Sequence, residues 1–75
     1  QELVRLLSRR VEEAKVAIRN IRRGANEDLR EFEREKMISE DEMKRGEAEV
    51  QKLTDEYIKR LEELGQEKEK DILAI

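Results

Sequence analysis

Apolar and small residues at Val4, Leu7, Val11, Ala14, Ile18, Ile21, Ala25 and Phe32 recur in alternating steps of three and four. That rhythm is a heptad seam, interrupted only by Asp28, where the next seam residue belongs. Leu3, Ala17 and Gly24 each stand one position before a seam residue, so the apolar stripe is broader than one neighbouring helix covers. A looser pattern follows through Met43, Val50, Leu53, Tyr57, Leu61, Leu64 and Ile72, with Ile58 and Leu73 beside it. Between the two patterns lies "KMISEDEM", a helix-start signal. Ser39 can accept the backbone N–H of Glu42, Glu42 can reach back to Ser39, and Ile38 and Met43 occupy the staple positions. Glu40 and Asp41 add negative charge at the positive end of the helix dipole.

The pattern predicts helix A over about 2–35, a turn at about 36–39 and helix B over about 40–73, each on the order of 50 Å long. So short a connection makes the pair antiparallel. The expected fold is all-α, a long antiparallel two-helix hairpin forming one unit over 1–75, with a further surface packed on the broad stripe. Glycine inside a helix costs about 1 kcal/mol against alanine. Gly24 reads as a neutral surface position beside the seam, with close approach of a neighbour as the alternative, and Gly46 and Gly65 are likewise open between close approach and simple tolerance.

Composition supports this picture. Seventy-five residues are too few for two domains, and a chain of 49% charged and 3% aromatic residues without proline has the profile of long exposed helices, not of a compact enzyme core. High charge also marks disordered chains, but the helical spacing of the apolar residues argues against disorder. The absence of cysteine excludes disulfides and thiolate metal sites, leaving an intracellular origin as the default. No apolar run reaches the roughly 18 residues of a membrane span, and the N-terminus has no signal-peptide pattern, so a soluble protein with no membrane partner is expected.

The net charge of −3 conceals an asymmetry: residues 1–38 carry ten bases and eight acids, residues 39–75 seven bases and twelve acids. An anionic partner therefore belongs on the first half. At 100° per residue, Lys15, Arg19, Arg22 and Arg23 fall within an arc of about 100° adjoining the seam, and Arg30 returns to it two turns on. From Ala14 to Asn26 there are four cations and no acid, although the rest of the chain interleaves both signs. Uncompensated guanidinium groups repel one another unless a partner supplies negative charge, and phosphate oxygens match the arginine fork. Pairing with acids of helix B, or plain solvation, is the competing explanation. No aromatic residue is interleaved for base stacking, so the contact expected is with backbone phosphate and RNA shape. Four such contacts imply a log–log salt slope of roughly −3.

Catalysis is not expected. The chain has no His or Cys, its hydroxyls at Ser8, Ser39 and Thr54 have no base network, and no glycine-rich loop follows a strand. Glu47, Glu49, Asp55 and Glu56 suggest metal ligands only superficially, because carboxylate sites in helical bundles usually add histidines. No cofactor or metal is implied. Phe32 and Tyr57 are isolated seam residues and do not make a membrane-surface helix.

The segments "KVAIRNIRR", "ISEDEMKRGEAEVQKLTDEYIKRLEEL" and "KEKDILAI", in this order and separation, resemble the C-terminal part of the bacterial and organellar ribosome recycling factor family. The resemblance runs along essentially all 75 residues, yet they match less than half of the family's length. It implies the last two helices of a three-helix bundle, with the family's N-terminal helix and hinged β-rich domain having no counterpart here. It further implies binding to large-subunit ribosomal RNA and splitting of the post-termination ribosome with elongation factor G and GTP. RNA-binding residues carried over are Arg22 first, then Arg19 and Arg23, with Lys15 on the same stripe and Asn20 matching the motif without a clear role. The implied location is bacterial cytoplasm or an organellar matrix or stroma.

Without a third helix, Leu3, Ala17, Ile21 and parts of Leu53 or Leu64 are expected to stay wet, so the 75 residues alone are expected to form a homo-oligomer or to pack on another chain. Splitting by these residues alone is not expected, because the implied mechanism uses the β-rich domain. A coiled-coil interaction module, or an engineered scaffold cut from the family, is the rival reading.

Overall fold

A computed structural model describes residues 1–74 as two helices, α1 (Glu2–Arg34) and α2 (Glu40–Leu73), packed antiparallel as a hairpin. The local chemistry at each end explains the boundaries. The Gln1 side chain accepts the Val4 N–H at 2.9 Å and so satisfies one of the free donors of the first turn of α1. At the other end, the Met37 N–H donates to the Phe32 carbonyl and the Lys36 N–H to the Glu33 carbonyl, both at 2.9 Å. This paired return is a Schellman ending, and it places Lys36 in the left-handed region at φ 62°. A lysine there carries the steric cost that glycine avoids.

Helix α2 opens on the expected capping box. The Glu42 N–H donates to Ser39 Oγ at 3.1 Å, and the Ser39 N–H donates to Glu42 Oε1 at 3.0 Å. The bond from the Ser39 backbone is the main cause holding the Glu42 carboxyl below the usual glutamate range, with the Ser39 hydroxyl adding to it. Ile38 and Met43, at the staple positions, are both half-buried.

The hairpin measures 57 × 16 × 9 Å and has a radius of gyration of 17.1 Å, against about 11 Å for a compact chain of this length. Its interface differs in register from the strict heptad. Val4, Leu7, Val11, Ala14 and Ile18 face α2 as expected, but the seam then passes through Arg22, Ala25 and Leu29. Ile21 is 71% exposed and Phe32 41% exposed, so neither is a seam residue of this hairpin. The reason is geometric. A nearly straight helix advances 3.6 residues per turn, so a seam begun at Val4 drifts off a 3.5-residue repeat by about 20° per heptad. Asp28 interrupts the pattern because the contact has moved to Leu29. On α2 the same correction takes Leu53, Tyr57 and Leu64 off the seam, and Thr54, Ile58 and Leu61 occupy it.

Two glycines mark the closest approach. A Cβ at Gly46 would meet Leu29 Cδ1 and Cδ2 at 3.0 Å, and one at Gly65 would meet Val11 Cγ2 at 3.1 Å. At Gly24 nothing lies within 4 Å, which fits the reading of that position as open surface. Even with this contact the hairpin has no apolar core: among the described residues no hydrophobic side chain is buried, and the only buried polar residue is Thr54, at 5% exposure. Its hydroxyl donates to the Val50 carbonyl at 2.7 Å, which satisfies it within its own helix. Among the described residues, no helix is long and apolar enough to cross a membrane.

Candidate nucleic-acid interface

The cations of the α1 stripe divide into two groups. Lys15 leans into the hairpin, its side chain only 13% exposed, where its ammonium meets Glu62 of α2 at 3.0 Å and Glu12 of its own helix at 3.3 Å. The hydrogen bond to Glu62 is the main cause raising Lys15 above the ordinary lysine value, and it outweighs the opposing effect of desolvation. Arg30 likewise pairs with Glu47 across the hairpin, Nε to Oε1 at 3.2 Å. Both ends of the stripe are thus neutralised from α2.

The middle is not. Among the described residues, Arg19, Arg22 and Arg23 have no carboxylate within ion-pair distance. Arg19 and Arg22 are half-buried and Arg23 is exposed. For Arg19 and Arg22 the cause lies in the sequence, since the positions one turn away on either side hold Lys15, Val16, Ile18, Arg22, Arg23, Ala25 and Asn26 and offer no acid. Arg23 has Glu27 one turn ahead, yet its Nη2 donates backward to Asn20 Oδ1 at 2.6 Å. Asn20 is neutral, so the guanidinium keeps its full charge. Of the five residues picked from the sequence, four therefore form one unneutralised cluster of three charges, and Lys15 stands beside it with its charge already met.

Arg22 has a second neighbourhood. It lies at the edge of an open apolar groove of about 400 Å³ between the helices, lined also by Ile18, Ile21 and Ala25 of α1 and by Val50, Leu53 and Tyr57 of α2. The Arg60 guanidinium sits 5.6 Å from the Tyr57 ring centroid on the α2 side of that groove. The residues expected to stay wet in a two-helix hairpin are exposed, with Leu3 at 57%, Leu53 at 49% and Leu64 at 50%, and Leu6, Val16, Met37 and Leu73 are exposed with them. The carboxylates considered as metal ligands are otherwise engaged where bonds form: Glu47 with Arg30, and Asp55 accepting from Gln51 Nε2 at 2.9 Å. Among the described residues, no three acidic side chains are grouped closely enough to hold a metal ion.

The ribosome recycling factor family model matches residues 1–73, nearly the whole chain. The chain belongs to the ribosome recycling factor family. It is 57% identical to the ribosome-recycling factor of Carboxydothermus hydrogenoformans over 75 residues, which is all of this chain and 40% of that protein. The counterpart in Symbiobacterium thermophilum is 53% identical over the same span and share, and that of Heliobacterium modesticaldum 46% identical over 74 residues. The chain thus spans about 40% of the length of these curated relatives. Ribosome recycling factors are non-enzymatic translation factors, in keeping with a chain read as having no catalytic constellation. No solved structure matches the chain.

Proposed function

We propose that this hairpin is the RNA-binding limb of a ribosome recycling factor, holding large-subunit ribosomal RNA through Arg22, with Arg19 and Arg23 beside it. The observation that carries this reading is the unneutralised triad flanked by two cations that α2 does neutralise. A helical hairpin with acids to spare leaves three guanidinium groups without carboxylates at a net energetic disadvantage, which an incoming polyanion reverses. The contact is to phosphate and RNA shape, because the cluster offers forks and no stacking ring. With Lys15 engaged by Glu12 and Glu62, three phosphate contacts remain, and the log–log salt slope becomes about −2 to −3.

In the whole factor, such a limb anchors the protein on the large subunit while elongation factor G, with GTP, drives the post-termination ribosome apart. The family membership supports this assignment and implies a location in the compartment where translation runs. The test is Arg22→Glu in co-sedimentation with purified large bacterial ribosomal subunits. Losing one charge-assisted contact weakens binding about ten- to a hundredfold, ~1.5–3 kcal/mol, and flattens the salt dependence. Helicity by circular dichroism stays the same, since arginine and glutamate are similar helix formers. Unchanged sedimentation would favour the rival reading of a coiled-coil interaction module, which the open apolar groove also suits.

A further inference from the structure

We infer that Asn20 is a positioning residue of this interface: as a neutral acceptor it holds the Arg23 guanidinium back along α1 and keeps it from being neutralised by Glu27. The inference rests on the proposed RNA contact of the arginine triad and assigns a task within it.

Three observations meet at this residue. Asn20 is exposed in the middle of a 33-residue helix, where asparagine is a poor helix former, so the fold itself gains nothing from it. Its side-chain oxygen accepts from Arg23 Nη2 at 2.6 Å. Arg23 also has Glu27 four residues on, the only acid one turn away from any member of the triad, and among the described residues the two form no ion pair. A helical base reaches an acid toward the N-terminus more readily than one toward the C-terminus, yet Arg10 does reach forward to Glu13 at 3.5 Å, so an arginine with no partner behind it can turn to an acid ahead. Paired with Glu27, Arg23 would present a neutral couple to an approaching phosphate; bonded to Asn20 Oδ1, it keeps its charge, and the donors not spent on that bond remain for phosphate. Removing the amide therefore does more than free a rotamer. It releases Arg23 to the carboxylate.

The experiment compares four variants of the 75-residue chain, Asn20→Ala, Asn20→Gln, Asn20→Ala with Glu27→Gln, and Arg22→Glu, by co-sedimentation with purified large bacterial ribosomal subunits across a salt series. Asn20→Ala is expected to bind about three- to tenfold more weakly than the parent, with a log–log slope shallower by up to ~0.9, the share of one phosphate. Its thermal stability is expected to rise, because alanine favours the helix, and that rise removes unfolding as an explanation. The longer amide of Asn20→Gln is expected to restore binding, and adding Glu27→Gln to Asn20→Ala is expected to restore the slope. Nitrogen-15 resonances of the free chain should show rotation of the Arg23 guanidinium slower in the parent, where Asn20 holds it, than in Asn20→Ala with Glu27→Gln, where neither partner remains. Parent-like affinity and slope in Asn20→Ala, together with weakened binding by Arg22→Glu, would overturn the role of Asn20 while leaving the RNA interface standing. Parent-like binding by Arg22→Glu would overturn both.

Discussion

Alanine at Gly24 and at Gly65 should change stability in opposite directions. Both glycines sit inside long helices, and in each case alanine removes backbone freedom from the unfolded chain, worth about 0.8–1 kcal/mol of stabilisation. The difference lies in what the new methyl meets. At Gly24 there is nothing within 4 Å, so the full gain of about 0.8–1 kcal/mol is kept. At Gly65 the methyl would arrive 3.1 Å from Val11 Cγ2, a few tenths of an ångström inside ordinary contact. Valine in a helix is held to one rotamer, so Val11 cannot swing aside and the two helices must part at that level. Overpacking of this kind costs about 1–3 kcal/mol, which exceeds the propensity gain and leaves Gly65→Ala destabilising by up to ~2 kcal/mol.

The assay is thermal unfolding followed by circular dichroism at one fixed protein concentration, because association would otherwise shift the midpoint. A change of 1 kcal/mol moves the midpoint of a chain this short by about 4–8 °C. Gly24→Ala should melt higher and Gly65→Ala lower, while binding to large subunits survives in Gly24→Ala, which adds no charge to the neighbouring arginines. Gly46→Ala belongs between them, since its contact is with the ends of the Leu29 side chain, which can rotate away. If Gly24→Ala and Gly65→Ala shift the midpoint in the same direction by similar amounts, the close approach of α1 and α2 at Val11 is wrong.

Three further outcomes are expected. Lys36→Gly should raise the melting midpoint, by about 0.5–1 kcal/mol, because it relieves the left-handed backbone at φ 62°; a midpoint at or below the parent's would contradict the Schellman ending. Glu42 contributes stability that is present above its ordinary titration range and is lost as the pH falls through its depressed folded value, so a pH series from 7 to 2 should show the deficit of Glu42→Ala against the parent shrinking below about pH 4, whereas a constant deficit would refute a capping role for the ionised carboxylate. The 75-residue chain should sediment as more than one copy at micromolar concentration, because among the described residues ten large apolar side chains stand at least 41% exposed, and a fully helical 9.0 kDa species would disprove this.

The start of α2 was legible because it depends on local chemistry. Ser39 and Glu42 sit three residues apart in the one order that lets each cap the other, and no tertiary contact is needed to read it. The seam beyond Ile18 was legible only as a stripe, not as a register. Ile21 and Arg22 differ by a single step of 100°, and the choice between them depends on how tightly the two helices wind about each other, which residue types do not encode. The left-handed Lys36 was hidden for a related reason: glycine announces such a position and lysine does not. For the candidate site, the absence of acids near Arg19 and Arg22 could be read directly from spacing. That Lys15 would be neutralised depended on Glu62, 47 positions away, and followed only from folding the hairpin. The bond from Arg23 to Asn20 is local, but the competing Glu27 made the outcome undecidable without coordinates.

The register shift ties the site to the weakness of the fold. Had the heptad been strict, Ile21 would face α2 and Arg22 would stand clear of the interface. In the hairpin, Ile21 is the most exposed large apolar residue among the described residues, and Arg22 occupies its place against α2, beside Val50, Thr54 and the groove. An apolar residue at that position would bury surface worth about 25 cal/mol per Å², which the arginine stem recovers only in part. The sequence therefore gives up packing within the contact between α1 and α2 to hold a charged fork there. A half-buried stem has fewer rotamers than a free one, so the guanidinium of Arg22 meets an anion with less entropy left to lose than that of exposed Arg23. Arg23 has no such wall and needs a hydrogen bond for the same end. Packing against α2 for Arg22 and an amide on α1 for Arg23 are two solutions to one problem, that of keeping a cation both charged and aimed.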